Sequence, residues 1–151
     1  MQRTSRLAAV LAVAAGMAAT AAPALAETTA AAGTFAEGPA KYVSDRMVGD
    51  DEELLATRKV RFTGTYKGTG DAFERILIHP DGTADVQIAI RFDGRACGEP
   101  ASLVFLIEAT SDLVTSVTGR YLVLDGTDVR GSGTFDAVPD VGGPYQGTAD
   151  C

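Results

Sequence analysis

Acid–base chemistry in this 151-residue sequence comes down to one carboxylate with an unusual neighbourhood. In "AFERILIH", residues 72–79, Glu74 alternates with Ile76 and Ile78, whereas Arg75 alternates with Phe73 and Leu77. On a regular strand one of these two charges must face the apolar side. An inward Glu74 loses hydration, which raises its pKa and suits it to act as a general acid or base. The alternatives are an inward Arg75 near a mouth, or both residues at a frayed strand start; neither gives Glu74 a chemical role.

Other chemistries are poorly provided for. The single histidine, His79, precedes Pro80 and Asp81 and reads as an exposed turn residue. No Gly-x-Ser-x-Gly segment offers it the nucleophile of a hydrolase triad. The "GTG" of 68–70 and the "GSG" of 131–133 lack the Gly-Lys-Ser/Thr ending of a phosphate loop and precede no helix, so nucleotide binding is not expected. Acidic runs at 50–53 and 125–128 match no calcium-loop spacing and read as solvated turns. The expectation is no cofactor and no metal.

Binding chemistry is better represented. Phe62, Tyr66, Ile88, Ile90 and Phe105, with Val117, Tyr121, Phe135 and Tyr145, fall on the inward phase of alternating runs. An apolar cavity with a few hydroxyls is the usual form of a small-molecule site, with Tyr66, Tyr121 and Tyr145 supplying the polar contacts. The same residues equally describe a filled core.

The elements that must position these side chains are strands. "RKVRFTGTYK" from Arg58 alternates Val60, Phe62, Gly64 and Tyr66 against Arg61, Thr63, Thr65 and Lys67. "TADVQIAIRF" repeats the pattern, and "FERILIH" lies between them, joined onward by the turn residues of "HPDGT". Further turns are expected at Asp93-Gly94 and Asp125-Gly126, followed by "VRGSGTFDAV" and a last strand near "GPYQGTADC". "ASLVFLIEA" is apolar on both faces, which predicts a second cover from the N-terminal arm or another subunit. "KYVSDRMV" reads as a first strand and "DDEELLA" as one helical turn. The spacing of short strands and turns predicts an all-β barrel or sandwich. Gly119, Gly131 and Gly133 fall on inward phases, the last two with Val129 and Phe135, where glycine lets the strands of a small barrel bend.

Residues 1–26 have Arg3 and Arg6, an uncharged Ala/Leu/Val stretch and an Ala-Leu-Ala ending, the pattern of a secretory signal peptide. The apolar part is short for a bilayer span, so no stable membrane anchor is expected and the product is secreted. Residues 27–40 read as a flexible arm and 41–151 as one β domain. Of 13 basic and 20 acidic side chains, two arginines leave with the signal peptide, giving a formal charge of −9, which disfavours nucleic acid and anionic lipid as partners. The two cysteines, Cys97 and Cys151, both lie in the exported part and are expected to pair. Their loop length corresponds to about 4 kcal/mol on the chain-entropy scale.

"SDRMVGDDEELLATRKVRFTGTYKGTGDAFERILIHPDGTADV", followed by "TGRYLVLDGTDVRGSGTF" and "GPYQGTA", resembles secreted actinobacterial members of the allene oxide cyclase-like barrel group from about Ser44 to the end. The resemblance implies a closed, antiparallel, eight-stranded, calycin-like barrel with one open mouth. Three functions follow as expectations: binding of a small apolar molecule, a cofactor-independent cyclisation or isomerisation using Glu74, and an extracellular interaction module, with homo-oligomerisation open.

Overall fold

The computed structural model describes residues 27–151, all of whose regular structure is β. The signal-peptide expectation for 1–26 lies outside the described residues. Nine strands follow in order: β1 (Thr28–Glu37), β2 (Lys41–Val48), β3 (Asp51–Gly64), β4 (Tyr66–Ile78), β5 (Ala84–Ala96), β6 (Glu99–Ser111), β7 (Val117–Asp125), β8 (Asp128–Ala137) and β9 (Gly142–Asp150). Every pairing is antiparallel, and β1 closes an eight-membered ring by joining both β9 and β3. The fold is therefore a closed eight-stranded β-barrel with β2 as an extra strand outside the ring.

The closure is unusual in one respect. β3 is long enough to receive two partners in series along one edge: its Val60–Gly64 half pairs with β1, and its first half pairs with β2. The ring is consequently sealed over only part of its height. Residues 27–40, expected as a flexible arm, instead supply a ring strand: Ala31, Gly33, Phe35 and Glu37 alternate inward, so small side chains concealed a regular strand. "DDEELLA" is not helical either. It is the first half of β3, with Glu53 held by Arg46 of β2 and Arg75 of β4 at 2.7 and 2.5 Å, a stabilisation that local sequence does not display.

Turns also differ from expectation. The β3–β4 hairpin turns at Gly64-Thr65, where Gly64 has φ +90°, so Tyr66 opens a new strand and the "GTG" of 68–70 lies within it. β5 runs straight through Asp93-Gly94 and turns at Cys97-Gly98, both with positive φ, as a two-residue hairpin of the primed type requires. Cys97 and Cys151 form a disulfide with Cα atoms 5.9 Å apart, tying this turn to the chain after β9.

Inward glycines admit close approach of the neighbouring strand's backbone, and some of them make room for rings as well. Six inward aromatic residues each face a glycine as cross-strand neighbour: Phe62 and Gly68, Phe92 and Gly70, Phe35 and Gly143, Phe135 and Gly119, Tyr121 and Gly133, Tyr145 and Gly33. A β-carbon at Gly133 would fall 2.6 Å from the Tyr121 hydroxyl, and one at Gly131 the same distance from that of Tyr66. An eight-stranded barrel has an interior about one side chain wide. At Gly33 and Gly133 glycine gives the paired Tyr145 and Tyr121 rings the space a side chain would otherwise take. Val129, expected on the same inward face, is exposed because the β7–β8 register shifts beside it.

The outer face of β6 is not covered by any of the described residues. Phe73, Ala89, Leu106 and Leu122 form a row of cross-strand neighbours from β4 to β7, of which Phe73, Leu106 and Leu122 are exposed. The N-terminal arm is thus excluded as the cover expected for this strand.

Candidate functional site

The two ends of the barrel are built differently. Toward the disulfide, Tyr66, Phe92 and Val123 are the largest fully buried side chains and leave the interior filled. Phe62, Phe92 and Phe105 stack or meet edge to face with centroids 5.0 to 5.7 Å apart, within the favourable range for aromatic pairs. Toward the other end the rings give way to Ile88, Ile107 and Val117 and to three inward-facing charges, Glu37, Arg58 and Glu74. Between them lies a partly enclosed cavity of about 40 Å³.

Of the residues expected from sequence to line a site, Phe62, Ile88, Ile90, Phe105, Val117, Tyr121, Phe135, Tyr145 and Glu74 all border this cavity. Tyr66 does not; it is 1 % exposed and packs toward the disulfide end. Tyr145 is also unavailable as a polar contact, because its hydroxyl donates to the Thr63 carbonyl at 2.8 Å and accepts from the Tyr66 N–H at 3.0 Å. Only Tyr121 keeps a free hydroxyl at the cavity: it is 5 % exposed, and the oxygen has no partner.

Four lining residues were not singled out in the sequence: Phe35, Glu37, Val60 and Ile107. The first two belong to the segment read as an arm, and Ile107 to the strand apolar on both faces. Arg58 was legible by alternation, since it shares the inward phase of Val60 and Phe62.

Glu74, not Arg75, faces inward, with its side chain 4 % exposed. It lies 2.8 Å from Nε of Arg58, itself 6 % exposed, although that N–H is not directed at the carboxylate. Nη1 of Arg58 donates at 2.8 Å both to Glu37 Oε2 and to Asp140 Oδ1. One guanidinium thus holds β1, β4 and the β8–β9 turn to β3, and the Glu37 N–H bonds the Val141 carbonyl at 3.0 Å in support. Burial raises the Glu74 pKa, and the opposing attraction of Arg58 does not cancel it; Glu37 is raised for the same reasons. Glu53, also buried, moves the other way because hydrogen bonds from Arg46 and Arg75 hold it below the usual carboxylate range. A carboxylate with two guanidiniums to itself stays ionised, while one sharing a single guanidinium with two other carboxylates becomes a better proton acceptor.

His79 sits at the far tip of β4, between Asp51 at 3.1 Å and Asp85 at 3.3 Å, which raise its pKa. It ties two hairpin turns together and lines no cavity described above. The acidic residues at 50–53 and 125–128 fall at the β2–β3 and β7–β8 turns and the adjoining strand ends.

In comparisons with known proteins, no family model matches the chain, and no curated protein matches it. The class established is therefore architectural: a disulfide-linked closed β-barrel in which, among the described residues, no helix is long and apolar enough to cross a membrane.

Proposed function

We propose that the protein is a secreted barrel that receives one small, largely apolar molecule, or the slim end of a larger one, through the end bordered by Glu37 and Glu74. The observation that carries this reading is the cavity itself: aromatic and aliphatic walls with a buried carboxylate at the rim. Its volume of about 40 Å³ accommodates a few waters or a short alkyl group. The secretory leader read at 1–26 and the resemblance to allene oxide cyclase-like barrels support the same conclusion. Native and denaturing mass spectrometry of the protein from an exporting host tests it. Excess mass that vanishes on denaturation is the expected result. Bare mass, together with unchanged Ile107 and Val117 methyl resonances across a panel of short apolar compounds, overturns it.

A second reading is favoured by Glu74 alone: a cyclase or isomerase in which the walls fold the substrate and Glu74 exchanges the proton. For a proven substrate, Glu74→Gln turning over as fast as wild type removes that role. The exposed row Phe73, Leu106 and Leu122 supports a third, an interaction or self-association face, tested by sedimentation of Leu106→Lys against wild type.

A further inference from the structure

We infer that the molecule admitted by the mouth carries a positive charge: its alkyl part enters the cavity and an ammonium group rests between Glu37 and Glu74. The inference rests on the binding reading above and adds the sign of the ligand's charge.

Charge balance at the rim comes first. Three carboxylates, Glu37, Glu74 and Asp140, surround one guanidinium, and Arg58 already lies within 2.8 Å of all three. An anionic ligand that approaches Arg58 meets three carboxylates at close range. A cation meets no such obstacle. The same molecule shows what a buried glutamate looks like when its charge is matched, because Glu53 is clamped by Arg46 and Arg75. Glu74 is as deeply buried, yet it makes one ion pair, through Oε1, with an arginine it shares. Glu53 has two guanidiniums to one carboxylate, whereas the mouth has one guanidinium to three.

The walls supply a second, independent observation. Phe35, Phe62 and Phe135 border the cavity together with Glu37 and Glu74, so three electron-rich rings and two carboxylates converge on one small space. Aromatic faces attract cations most strongly where water is excluded. Tyr121 adds a buried hydroxyl without a partner. Volume restricts the buried portion to a short chain, so the charged head remains at the rim where the carboxylates are.

The experiment uses three probes of one shape on the mature, oxidised protein: n-butylammonium, 1-butanol and butyrate, titrated at neutral pH and low salt and followed by the Ile107 and Val117 methyl signals. At millimolar concentration, where so small a ligand is expected to bind, butylammonium should exceed butanol by about tenfold, a difference of about 1.4 kcal/mol, with butyrate weakest. Added salt should weaken butylammonium and leave butanol unchanged. Equal binding of butylammonium and butanol, or a preference for butyrate, overturns the charge inference while the apolar cavity stands. No shift with any probe overturns both. Glu74→Gln should remove most of the preference. Asp140→Asn, at a residue 69 % exposed and so harmless to folding, should reduce it about threefold, and no change in either variant also counts against the inference.

Discussion

At the end that carries the disulfide, the barrel is filled by rings, with Tyr66 set against Gly131 and Phe92 against Gly94; toward the mouth, aliphatic side chains join the rings around an ion cluster centred on Arg58. The first solution is geometric and depends on the absence of β-carbons. The second is electrostatic and depends on one guanidinium balancing three carboxylates. Close packing tolerates neither added nor removed volume, whereas a shared charge can be re-partnered. That difference explains why the cavity lies where the charges are.

Removing Arg58 should break this contrast most severely. Arg58→Met leaves Glu37 and Glu74 buried without compensation, an expected loss of about 3–5 kcal/mol in urea unfolding at neutral pH. Part of the loss should return on acidification, as the two carboxyls protonate. Replacing both Cys97 and Cys151 by alanine acts on the opposite end and should cost about 2–4 kcal/mol, with probe binding at the mouth preserved.

Gly133→Ala tests the geometric solution, since the new β-carbon meets the Gln146 carbonyl first and the Tyr121 hydroxyl next; an overpacking loss of about 1–3 kcal/mol is expected. The loss should shrink in a Tyr121→Leu background, without vanishing, because the Gln146 carbonyl also lies in the way. Two tyrosines then separate structural from available hydroxyls. Tyr145→Phe strands the buried Tyr66 N–H and should cost about 1–3 kcal/mol, whereas Tyr121→Phe should stay within about 0.5 kcal/mol.

The smallest effects are pH slopes of opposite sign. Glu37 and Glu74 have folded pKa values raised above their unfolded ones, so the native state holds more protons and stability falls as pH rises from the ordinary carboxyl range through the raised values. Glu53 is depressed, so its contribution is present above that range and is lost as pH falls through its folded value. Glu74→Gln should flatten the first slope and Glu53→Gln the second, read as urea midpoint against pH.

Where a strand alternates apolar with polar residues, as β5 does, the sequence declares both the strand and its faces; β4 is apolar on both phases beside Glu74 and Arg75, so alternation left the choice between them open and the fold decides it. β1 hides because Ala31 and Gly33 contrast too little with the alanines and threonines between them. The first half of β3 hides because its acids are neutralised by Arg46 and Arg75 from other strands, a non-local fact. Glu37 and Asp140 reach the mouth only through the tertiary path of β1 and the β8–β9 turn, and alternation carries no information about either. Arg58 was within reach of parity alone: a buried arginine on the phase of Val60 and Phe62 demands carboxylates nearby.

The pairing of rings with glycines has a consequence over evolutionary time. Because Tyr145 occupies the space that Gly33 leaves vacant, and Tyr121 that of Gly133, neither member of these couples can drift alone: enlarging the glycine collides with the ring, and shrinking the ring opens a void. Two such couples make four positions behave as two heritable units. In a collection of descendants, losses of a ring should coincide with gains of a side chain directly opposite, a signature that would reveal this barrel even where overall similarity has faded.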